Sequence, residues 1–388
     1  MRRATLSFIA VVLAICSTVF QAFAFTPIST EADNVGWERY EENLPEDFYH
    51  KDAIVLKACC YYPNAGPIGH GIHWETMNYI EKLMGGRLKF QRYYASSLHS
   101  LADGFKALRS GLSDFAQAYP AENQGAFDLM SSDGLPFLYN NVVVGSAVQR
   151  ELYPKWLKKE YEAQGIYIGM TPFFDCQVII SKVPIRKMED LKGLKVNGYG
   201  GRLMRATINA LGGTSVYVTV PDLFIALQRG TIDAIVWSAG SIIPWRFHEV
   251  AKYVTITGQN IGSIPYGLNK RKFDSLPEDF RKDFYRALQL ATNHMSEGYT
   301  KLEIPAYEKL QKAGVEIIEL NAAEKARWVK ACEPVWEDYI KEKETKGLPV
   351  REFIKDLKAT AAKFNGMTIP EIREYTNENT IHGIIDGL

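Results

Sequence analysis

The chain has 388 residues, of which 45 are basic and 45 acidic, so its formal net charge at pH 7 is zero. A balanced charge excludes the broad electropositive surface that binds nucleic acid or an anionic membrane. A chain of this length exceeds one ordinary hydrophobic core and indicates two domains. Beyond the N-terminal segment, no stretch of the sequence approaches the length of a membrane-spanning helix.

The N-terminus has the features of a secretory signal peptide. Two arginines follow the initiating Met, an apolar run covers residues 6–20, and Ala22-Phe23-Ala24 provides an A-x-A cleavage site. The run is shorter than the roughly 20 apolar residues that a spanning helix needs. We therefore expect residues 1–24 to be removed and the protein to be exported to the periplasm. A lipoprotein attached through Cys16 is the less favoured alternative, because Ile15 is bulky where a small residue is required.

Four cysteines follow the signal peptide: Cys59, Cys60, Cys176 and Cys332. Their spacing resembles neither a zinc site nor a redox C-x-x-C motif. Export permits disulfides, so one bridge from Cys59 or Cys60 to Cys176 is an open alternative. We favour buried thiols that pack as small hydrophobic side chains.

Residues 25–52 are polar, acidic and aromatic without a clear period, and we predict that they form an N-terminal extension. From residue 53 onwards, short apolar runs alternate with segments of helical spacing. The predicted elements are a strand at 53–59, a helix ending at Gly85-Gly86, a strand at 87–94, a helix at 97–108 and a strand at 113–118. This alternation is typical of a parallel sheet that is covered on both faces.

The same alternation returns in the second half of the chain. We predict strands at 166–170, 178–181, 194–196, 214–218 and 234–237, with helices at 202–211 and 221–228. An unusually long helix follows from Pro277 to about Gly314, then a strand at 316–320 and helices over 322–346 and 349–364. Two α/β units of this kind predict ligand binding beyond the carboxyl ends of strands, between the domains.

The sequence lacks the local signatures of the common enzyme classes, including the nucleophile elbow, the phosphate-binding loop and the H-E-x-x-H motif. The Gly-rich turn at 198–201 lacks the G-x-G-x-x-G spacing of a nucleotide cradle. His70 and His73 are three residues apart, but their glycine neighbours favour loop histidines bonded to the backbone over a metal site. We therefore expect no catalytic residue, no metal and no cofactor. An exported hydrolase with a dispersed site is the rival class, because such a site leaves no local motif.

A set of short motifs carries a family resemblance. The segments are L-P-F-L at 135–138, D-L-K-G-L-K at 190–195, A-L-G at 210–212, A-L-Q-R-G-T-I-D at 226–233 and P-E-D at 277–279. Together they resemble the solute-receptor subunits of tripartite ATP-independent periplasmic (TRAP) transporters. The resemblance covers about residues 53–345; each motif alone is weak, and the set is specific.

The resemblance implies an α/β, two-lobed periplasmic binding protein, in which each lobe is a mostly parallel sheet flanked by helices and the long helix spans both lobes. It implies that residues 53–174 with 263–302 form the first lobe, that 175–262 with 303–345 form the second, and that 346–388 form a C-terminal helical extension. Receptors of this family close their lobes on a small solute and deliver it to the permease subunits in the membrane.

The same resemblance implies that the pocket is lined by Tyr61, Tyr119, Gln177, Asn197, Val220 and Trp237, and we expect Phe174 to add an apolar wall. Relatives usually clamp a carboxylate with an Arg at the position of Asn197 and often carry a second Arg at that of Gln177. One hypothesis is that a displaced Arg holds an organic acid, with Arg202 at a helix N-terminus as the first candidate and Arg92 as the second. The other is that the aromatic side chains enclose a neutral or cationic solute. We favour the organic acid, held atypically.

Overall fold

The computed structural model describes residues 44–388, except residues 65, 121–124, 175–176, 199–200 and 260–261, and gives no side-chain description at 177, 221 and 304. The predicted signal peptide, most of the predicted N-terminal extension and Cys176 lie outside the described residues. Cys59, Cys60 and Cys332 are buried free thiols, which is the alternative favoured above. None of the described helices combines the length and the apolar character needed to cross a membrane.

The described strands form two large sheets and one two-stranded ribbon. In chain order they are β1 (Ile54–Cys59), β2 (Leu88–Tyr93), β3 (Phe115–Gln117), β4 (Ile166–Met170), β5 (Phe173–Phe174), β6 (Gln177–Ser181), β7 (Lys195–Gly198), β8 (Thr214–Ser215), β9 (Ala234–Ser238), β10 (Tyr253–Ile256), β11 (Gly262–Ser263), β12 (Tyr266–Asn269) and β13 (Glu316–Glu319).

The described helices connect these strands and follow the last of them. In chain order they are α1 (Glu75–Leu83), α2 (Gly104–Ser110), α3 (Val142–Leu152), α4 (Lys158–Ala163), α5 (Gly201–Ala210), α6 (Leu223–Arg229), α7 (Ala239–Ile242), α8 (Lys270–Asp274), α9 (Glu278–Lys312), α10 (Ala322–Ala331), α11 (Glu333–Thr345), α12 (Val350–Asn365) and α13 (Ile369–Glu378). An α-helical turn at Gly66–Ile68 continues into the π-helical turn Gly69–Trp74, and a second π-helical turn covers Tyr153–Leu157. Single 3-10 turns cover Glu46–Phe48, Met130–Gly134, Met188–Leu191, Val220–Asp222 and Phe247–Glu249.

Both large sheets are mixed, with two of four strand pairs parallel in the first and three of five in the second. The first has the order β2-β1-β3-β12-β4, in which β1 pairs in parallel with β2 and β3 while β12 runs antiparallel to β3 and β4. The second has the order β13-β10-β6-β9-β7-β8, in which β6 runs antiparallel to β9 and β10 and the other pairs are parallel. We call the first sheet with its helices the first lobe, and the second sheet with its helices the second lobe.

The chain crosses between the two sheets through β5 and returns through β11. These strands pair antiparallel, with Phe173 opposite Ser263 and Phe174 opposite Gly262. A Cβ at Gly262 would lie 1.9 Å from Cε1 of the Phe174 ring, so a larger residue there would displace the ring. The return path also explains why β12 runs opposite to β3, because the chain re-enters the first sheet from the second.

The 35-residue helix α9 packs against both lobes. Its residues Phe284 and Leu288 belong to the hydrophobic core of the first lobe. Ala306 and Leu310 belong to a core cluster of the second lobe. Pro305 lies inside the helix without ending it. One continuous helix therefore spans both cores, as the resemblance implies.

The helix α3 lies in a segment for which the sequence pattern predicts no element. It begins with V-V-V, a β-branched run that by itself favours a strand. Asn141 caps the helix by accepting a hydrogen bond from the N–H of Val144 at 3.0 Å, and α9 and α12 pack against it. Tertiary burial thus overrides local preference. Conversely, the helix predicted from residue 97 begins only at Gly104, and turns and bends occupy most of residues 97–103 instead.

His70 and His73 lie in the π-helical turn before α1, and their side chains bond to other side chains, so the prediction of loop histidines bonded to the backbone is wrong. Nδ1 of His70 is 3.0 Å from Oδ1 of Asn64. In the fully buried ring of His73, Nδ1 is 2.6 Å from the hydroxyl of Tyr266 and Nε2 is 2.9 Å from the hydroxyl of Tyr299. One imidazole thus joins the turn to β12 and α9. Burial lowers the pKa of His73 to about 3.

The segment after α11 forms α12, α13 and a C-terminal tail that pack on α3 and α9. The guanidinium of Arg150 donates to the carbonyl oxygen of Thr376, and Nδ2 of Asn293 donates to the hydroxyl of the same residue at 2.8 Å. Ile384 and Ile385 are buried near the end of the chain. The extension therefore adds a hydrophobic layer to the first lobe.

The buried His73 predicts acid destabilisation. The unfolded chain binds a proton at the ordinary His pKa of 6.5, whereas the folded chain binds it only near 3. The stability contributed by the neutral imidazole is therefore present above pH 6.5 and is lost as the pH falls toward 3, at up to about 1.4 kcal/mol per pH unit. We expect the free energy of unfolding, measured in urea from pH 7 to pH 4, to fall more steeply in the wild type than in His73→Gln. Parallel pH curves would contradict this.

The packing of the tail predicts a large effect of truncating Ile385, whose side chain is 0% exposed. The substitution Ile385→Ala is expected to lower the free energy of unfolding by about 2–5 kcal/mol, because it removes buried methyl groups and leaves a cavity. Ile225→Ala is the matched control, since Ile225 is 44% exposed, and its effect is expected to stay within about 0.5 kcal/mol. Equal effects of the two variants in urea denaturation would show that the tail does not pack in solution.

Candidate functional site

The predicted pocket residues lie at or just beyond strand ends in both lobes. Tyr61 and Tyr119 each come two residues after a strand of the first sheet, β1 and β3. Asn197 and Trp237 are the penultimate residues of β7 and β9, which pair in parallel in the second sheet. The carboxyl ends of strands at a boundary between lobes are the usual ligand sites of α/β proteins.

A chain of contacts in the first lobe holds Tyr61. Its backbone N–H donates to Oε1 of Gln117 at 2.8 Å, and its ring lies 4.4 Å from that of Tyr62. Tyr62 stacks on the buried His73 at 4.5 Å between ring centroids. The phenol of Tyr61 is half-buried, and its desolvation raises the pKa of the hydroxyl. The ring is therefore a neutral group that can donate one hydrogen bond.

Further tyrosines enclose the same end of the first sheet: the predicted Tyr119, and Tyr94 and Tyr266, which the sequence pattern did not single out. Tyr119 is buried, and its hydroxyl interacts electrostatically with the hydroxyl of Tyr266. Tyr94 follows β2 and stacks on Trp74 at 5.0 Å, with the two rings 5° from parallel. Burial raises the pKa of Tyr94 and Tyr266 above the ordinary phenol value. The lining of the first lobe is thus a group of neutral phenols.

Arg92, the second candidate for a displaced Arg, is engaged inside the first lobe. Its guanidinium forms an ion pair with Glu81, whose side chain is completely buried, and lies 5.1 Å above the ring of Trp74. Glu81 also accepts the backbone N–H of Phe90 at 2.6 Å. Burial raises the pKa of Glu81, and the charge of Arg92 opposes that shift. The positive charge of Arg92 is therefore compensated within the lobe.

Asn197 occupies the position where the resemblance implies an Arg, and it is 2% exposed. Its Nδ2 donates to the carbonyl oxygens of Val216 and Val218, at 3.1 and 3.2 Å. The segment that it holds leads to the 3-10 turn containing Val220, whose side chain packs against the second-lobe core. Asn197 therefore anchors this stretch of backbone, and both hydrogens of its amide are used in doing so.

Arg202, the first candidate for a displaced Arg, is the second residue of α5. Its guanidinium forms an ion pair with the carboxylate of Glu342 in α11, and both side chains are partly exposed. The structure thus gives this Arg an acidic partner. Each of these two arginines thus has a carboxylate partner, while Nη1 of Arg92 is buried and no described residue accepts a hydrogen bond from it.

Trp237 lies among aromatic side chains of the second lobe. Its ring meets Phe247 edge to face at 5.6 Å and Trp245 at 6.2 Å. Its indole N–H is buried, and no described residue accepts a hydrogen bond from it. An indole N–H can only donate, so an acceptor atom from a ligand would complete this site.

The remaining predicted residues lie where the chain crosses between the lobes. Phe174 is half-buried in β5, beside Gly262 of β11. Gln177 begins β6 and pairs with Ser238 of β9; its side chain lies outside the description. Gln177 therefore adjoins the strand that carries Trp237. In the described part of the chain, no group of three or more His, Cys, Asp or Glu residues is arranged to hold a metal ion.

The L-P-F-L segment forms a second connection between the lobes. The N–H of Phe137 donates to the carbonyl of Gln259 at 2.7 Å, and the hydroxyl of Ser263 donates to the carboxylate of Asp133. Phe137 has a φ of 60°, a left-handed conformation that costs a bulky residue on the order of 1 kcal/mol. Its ring packs against a core cluster of the second lobe, which holds the backbone in this conformation.

Comparison with known proteins places this chain in a family. The model of the bacterial extracellular solute-binding proteins, family 7, matches residues 69–343. The C4-dicarboxylate-binding periplasmic protein DctP of Rhodobacter capsulatus is 27% identical over 296 residues, which cover 74% of this chain and 86% of that protein.

Solved structures show the same two-lobed α/β fold. A TRAP solute-binding protein of Rhodoferax ferrireducens, in complex with copurified benzoate, matches with a TM-score of 0.72 at 21% identity, over 80% of this chain and 98% of the other. A second match is a marine metagenome TRAP solute-binding protein specific for aromatic acid ligands, in complex with 3-hydroxybenzoate. It has a TM-score of 0.72 at 22% identity, over 80% of this chain and 98% of the other. The family consists of receptors rather than enzymes, in agreement with the predicted absence of catalysis. This chain therefore belongs to family 7 of the bacterial extracellular solute-binding proteins.

Proposed function

We propose that the protein is a periplasmic receptor that binds a small organic acid between its lobes and delivers it to the permease subunits of a TRAP transporter. The predicted signal peptide supports export. The relatives support the solute class, because they are described with a C4-dicarboxylate, with benzoate and with 3-hydroxybenzoate. The proposed lining is Tyr61, Tyr119, Phe174, Gln177, Val220 and Trp237, with Asn197 supporting the wall of the second lobe.

The observation that carries this proposal is the buried, unaccepted indole N–H of Trp237 at a strand end. A buried donor without an acceptor costs about 1–3 kcal/mol. A solute oxygen would recover that free energy, and a carboxylate oxygen would recover most, because hydrogen bonds to ionised acceptors are the stronger ones. The acid is thus held by neutral donors instead of a guanidinium, since Arg92 and Arg202 are already paired with Glu81 and Glu342.

The second candidate is a receptor for a cationic solute in an aromatic cage. The rings of Trp237, Trp245 and Tyr61 favour it, because a cation is attracted to the faces of aromatic rings. A cage of this kind needs ring faces, whereas an acid needs the N–H of Trp237. The two candidates therefore differ in whether the solute contacts the ring face of Trp237 or its indole N–H.

Delivery requires that the solute stabilise a closed form of the receptor. A solute shifts the open–closed equilibrium only by the contacts that it gains on closing. Phenols on the first lobe and the indole on the second would both contact one small molecule only when the lobes approach. The β5–β11 ribbon and the long helix α9 connect the lobes and are the elements that would bend.

A thermal-shift and calorimetry screen tests the solute class. Benzoate, 3-hydroxybenzoate and succinate represent acids, choline represents cationic headgroups, and glycerol represents neutral polyols. We expect an acid to bind with micromolar or lower Kd and to stabilise the protein, by about 2.7 kcal/mol at 100 times the Kd. NMR of the released solute is expected to show it unchanged. Stabilisation by choline alone would favour the cage, and chemical conversion of the solute would indicate an enzyme.

Two substitutions separate the neutral-donor site from a displaced Arg. Trp237→Phe keeps an aromatic ring at this position and removes the indole N–H. We expect it to weaken binding of the acid by about 10- to 100-fold, the cost of one hydrogen bond to a charged group. Arg202→Ala is expected to change the Kd by less than about 3-fold, because it removes a partly exposed ion pair with Glu342. The reverse outcome in calorimetry, with binding lost only in Arg202→Ala, would restore the displaced Arg.

A further inference from the structure

Gln117 is a buried amide at the carboxyl end of β3 that the sequence pattern did not indicate. It is 2% exposed. Its Oε1 accepts the backbone N–H of Tyr61 at 2.8 Å, and in the sheet it lies opposite Tyr266. Tyr119 follows two residues later. The amide therefore lies between three of the tyrosines that line the first lobe.

The orientation of this amide is determined by its partner. A backbone N–H can only donate, so the atom facing Tyr61 must be the oxygen. The NH₂ group consequently points away from that contact, and no described residue accepts a hydrogen bond from Nε2. Leaving such a donor unpaired inside the protein costs about 1–3 kcal/mol, which an acceptor on a bound solute would recover.

An unpaired amide nitrogen does not by itself identify a binding residue. Gln289 in α9 has the same arrangement: it is 4% exposed, its Oε1 accepts the N–H of Ile381 at 3.0 Å, and its Nε2 has no described partner. Gln289 lies against the C-terminal tail, away from the strand ends. Position distinguishes the two residues, because only Gln117 lies beside Tyr61 and Tyr119 at the end of the sheet.

The charges near these strand ends narrow the class of solute. A second carboxylate buried in the cleft would add a further uncompensated charge, at a cost of several kcal/mol, unless a cation met it. Arg92 and Arg202 are already paired with Glu81 and Glu342. The surrounding surface is aromatic, with Tyr61 and Trp237 on the two lobes. These features suit an aromatic ring that carries one carboxylate.

We propose that Nε2 of Gln117 donates a hydrogen bond to the carboxylate of an aromatic monocarboxylic acid and thereby selects this class over dicarboxylates. This inference rests on the proposed receptor function. Gln117 contributes a neutral donor from the first lobe, and Trp237 contributes one from the second. A neutral pair of this kind compensates one negative charge without adding a positive one.

The variant Gln117→Glu tests the donor, with benzoate as the probe in calorimetry at pH 8. The substitution keeps the size of the side chain and an oxygen for the N–H of Tyr61, but it replaces the donor by a carboxylate that repels the probe. We expect benzoate affinity to fall by about 100-fold or more. The control is Gln289→Glu, which makes the same change at an amide of the same geometry and is expected to keep the Kd within about 2-fold.

The outcomes separate this inference from the receptor function. If the wild type binds benzoate and Gln117→Glu binds it equally well, the role of Gln117 is overturned while the receptor function stands. If the wild type binds succinate more tightly than benzoate, the proposed selectivity is overturned. If the wild type binds none of the acids, the receptor proposal fails and this inference fails with it. If circular dichroism shows that Gln117→Glu is unfolded, Gln117→Met replaces it in the same test. The expected loss of benzoate affinity is then about 10-fold.

Discussion

The strand β12 is the element on which the arrangement of the site depends, because it inserts antiparallel between β3 and β4 after the chain has passed through the second sheet. Its register sets Tyr266 opposite Gln117, and the hydroxyl of Tyr266 then meets the buried ring of His73. His73 in turn contacts Tyr299 of α9 and stacks on Tyr62. The first sheet, the long helix and the tyrosines at the strand ends are thus connected through one strand.

Compensation of charge is the second organising feature. Each Arg near the candidate site has its own carboxylate: Glu81 holds Arg92, and Glu342 holds Arg202. Asn197 uses its amide to anchor the backbone. In the proposed site a solute would meet mainly neutral donors and aromatic rings, so specificity would depend on hydrogen-bond geometry more than on net charge. Such a site would discriminate against a solute with an additional charge through the cost of burying that charge.

The lobes differ in how firmly they are supported. The first lobe has the C-terminal extension packed on α3 and α9, with Arg150 and Asn293 bonded to Thr376. The connection to the second lobe includes the two-residue strands β5 and β11, the segment around Phe137 and the single helix α9. Two units with their own cores joined by short connections are the arrangement that hinge closure uses.

The sequence by itself determined the elements whose signal is local. Apolar runs predicted strands such as β1, β4 and β9, the helical spacing after Pro277 predicted α9, and short motifs predicted the family. It did not predict α3, because a run of valines favours a strand until neighbouring helices bury it. It did not predict β12 either, since Tyr-Gly-Leu-Asn contains neither an apolar run nor a β-branched residue, and the strand is specified by its partners.

The residues of the candidate site likewise fall into those that the sequence pointed to and those whose partners only the structure identified. Tyr61, Tyr119 and Trp237 could be proposed from their places after or within predicted strands, and their contact with a solute remains a prediction. Only the tertiary structure decided that Arg202 pairs with Glu342, that Asn197 holds the backbone at Val216 and Val218, and that Gln117 turns its NH₂ group away from Tyr61. The physical reason is that a side chain's residue type fixes which bonds it can make, whereas the partners it meets come from distant parts of the chain.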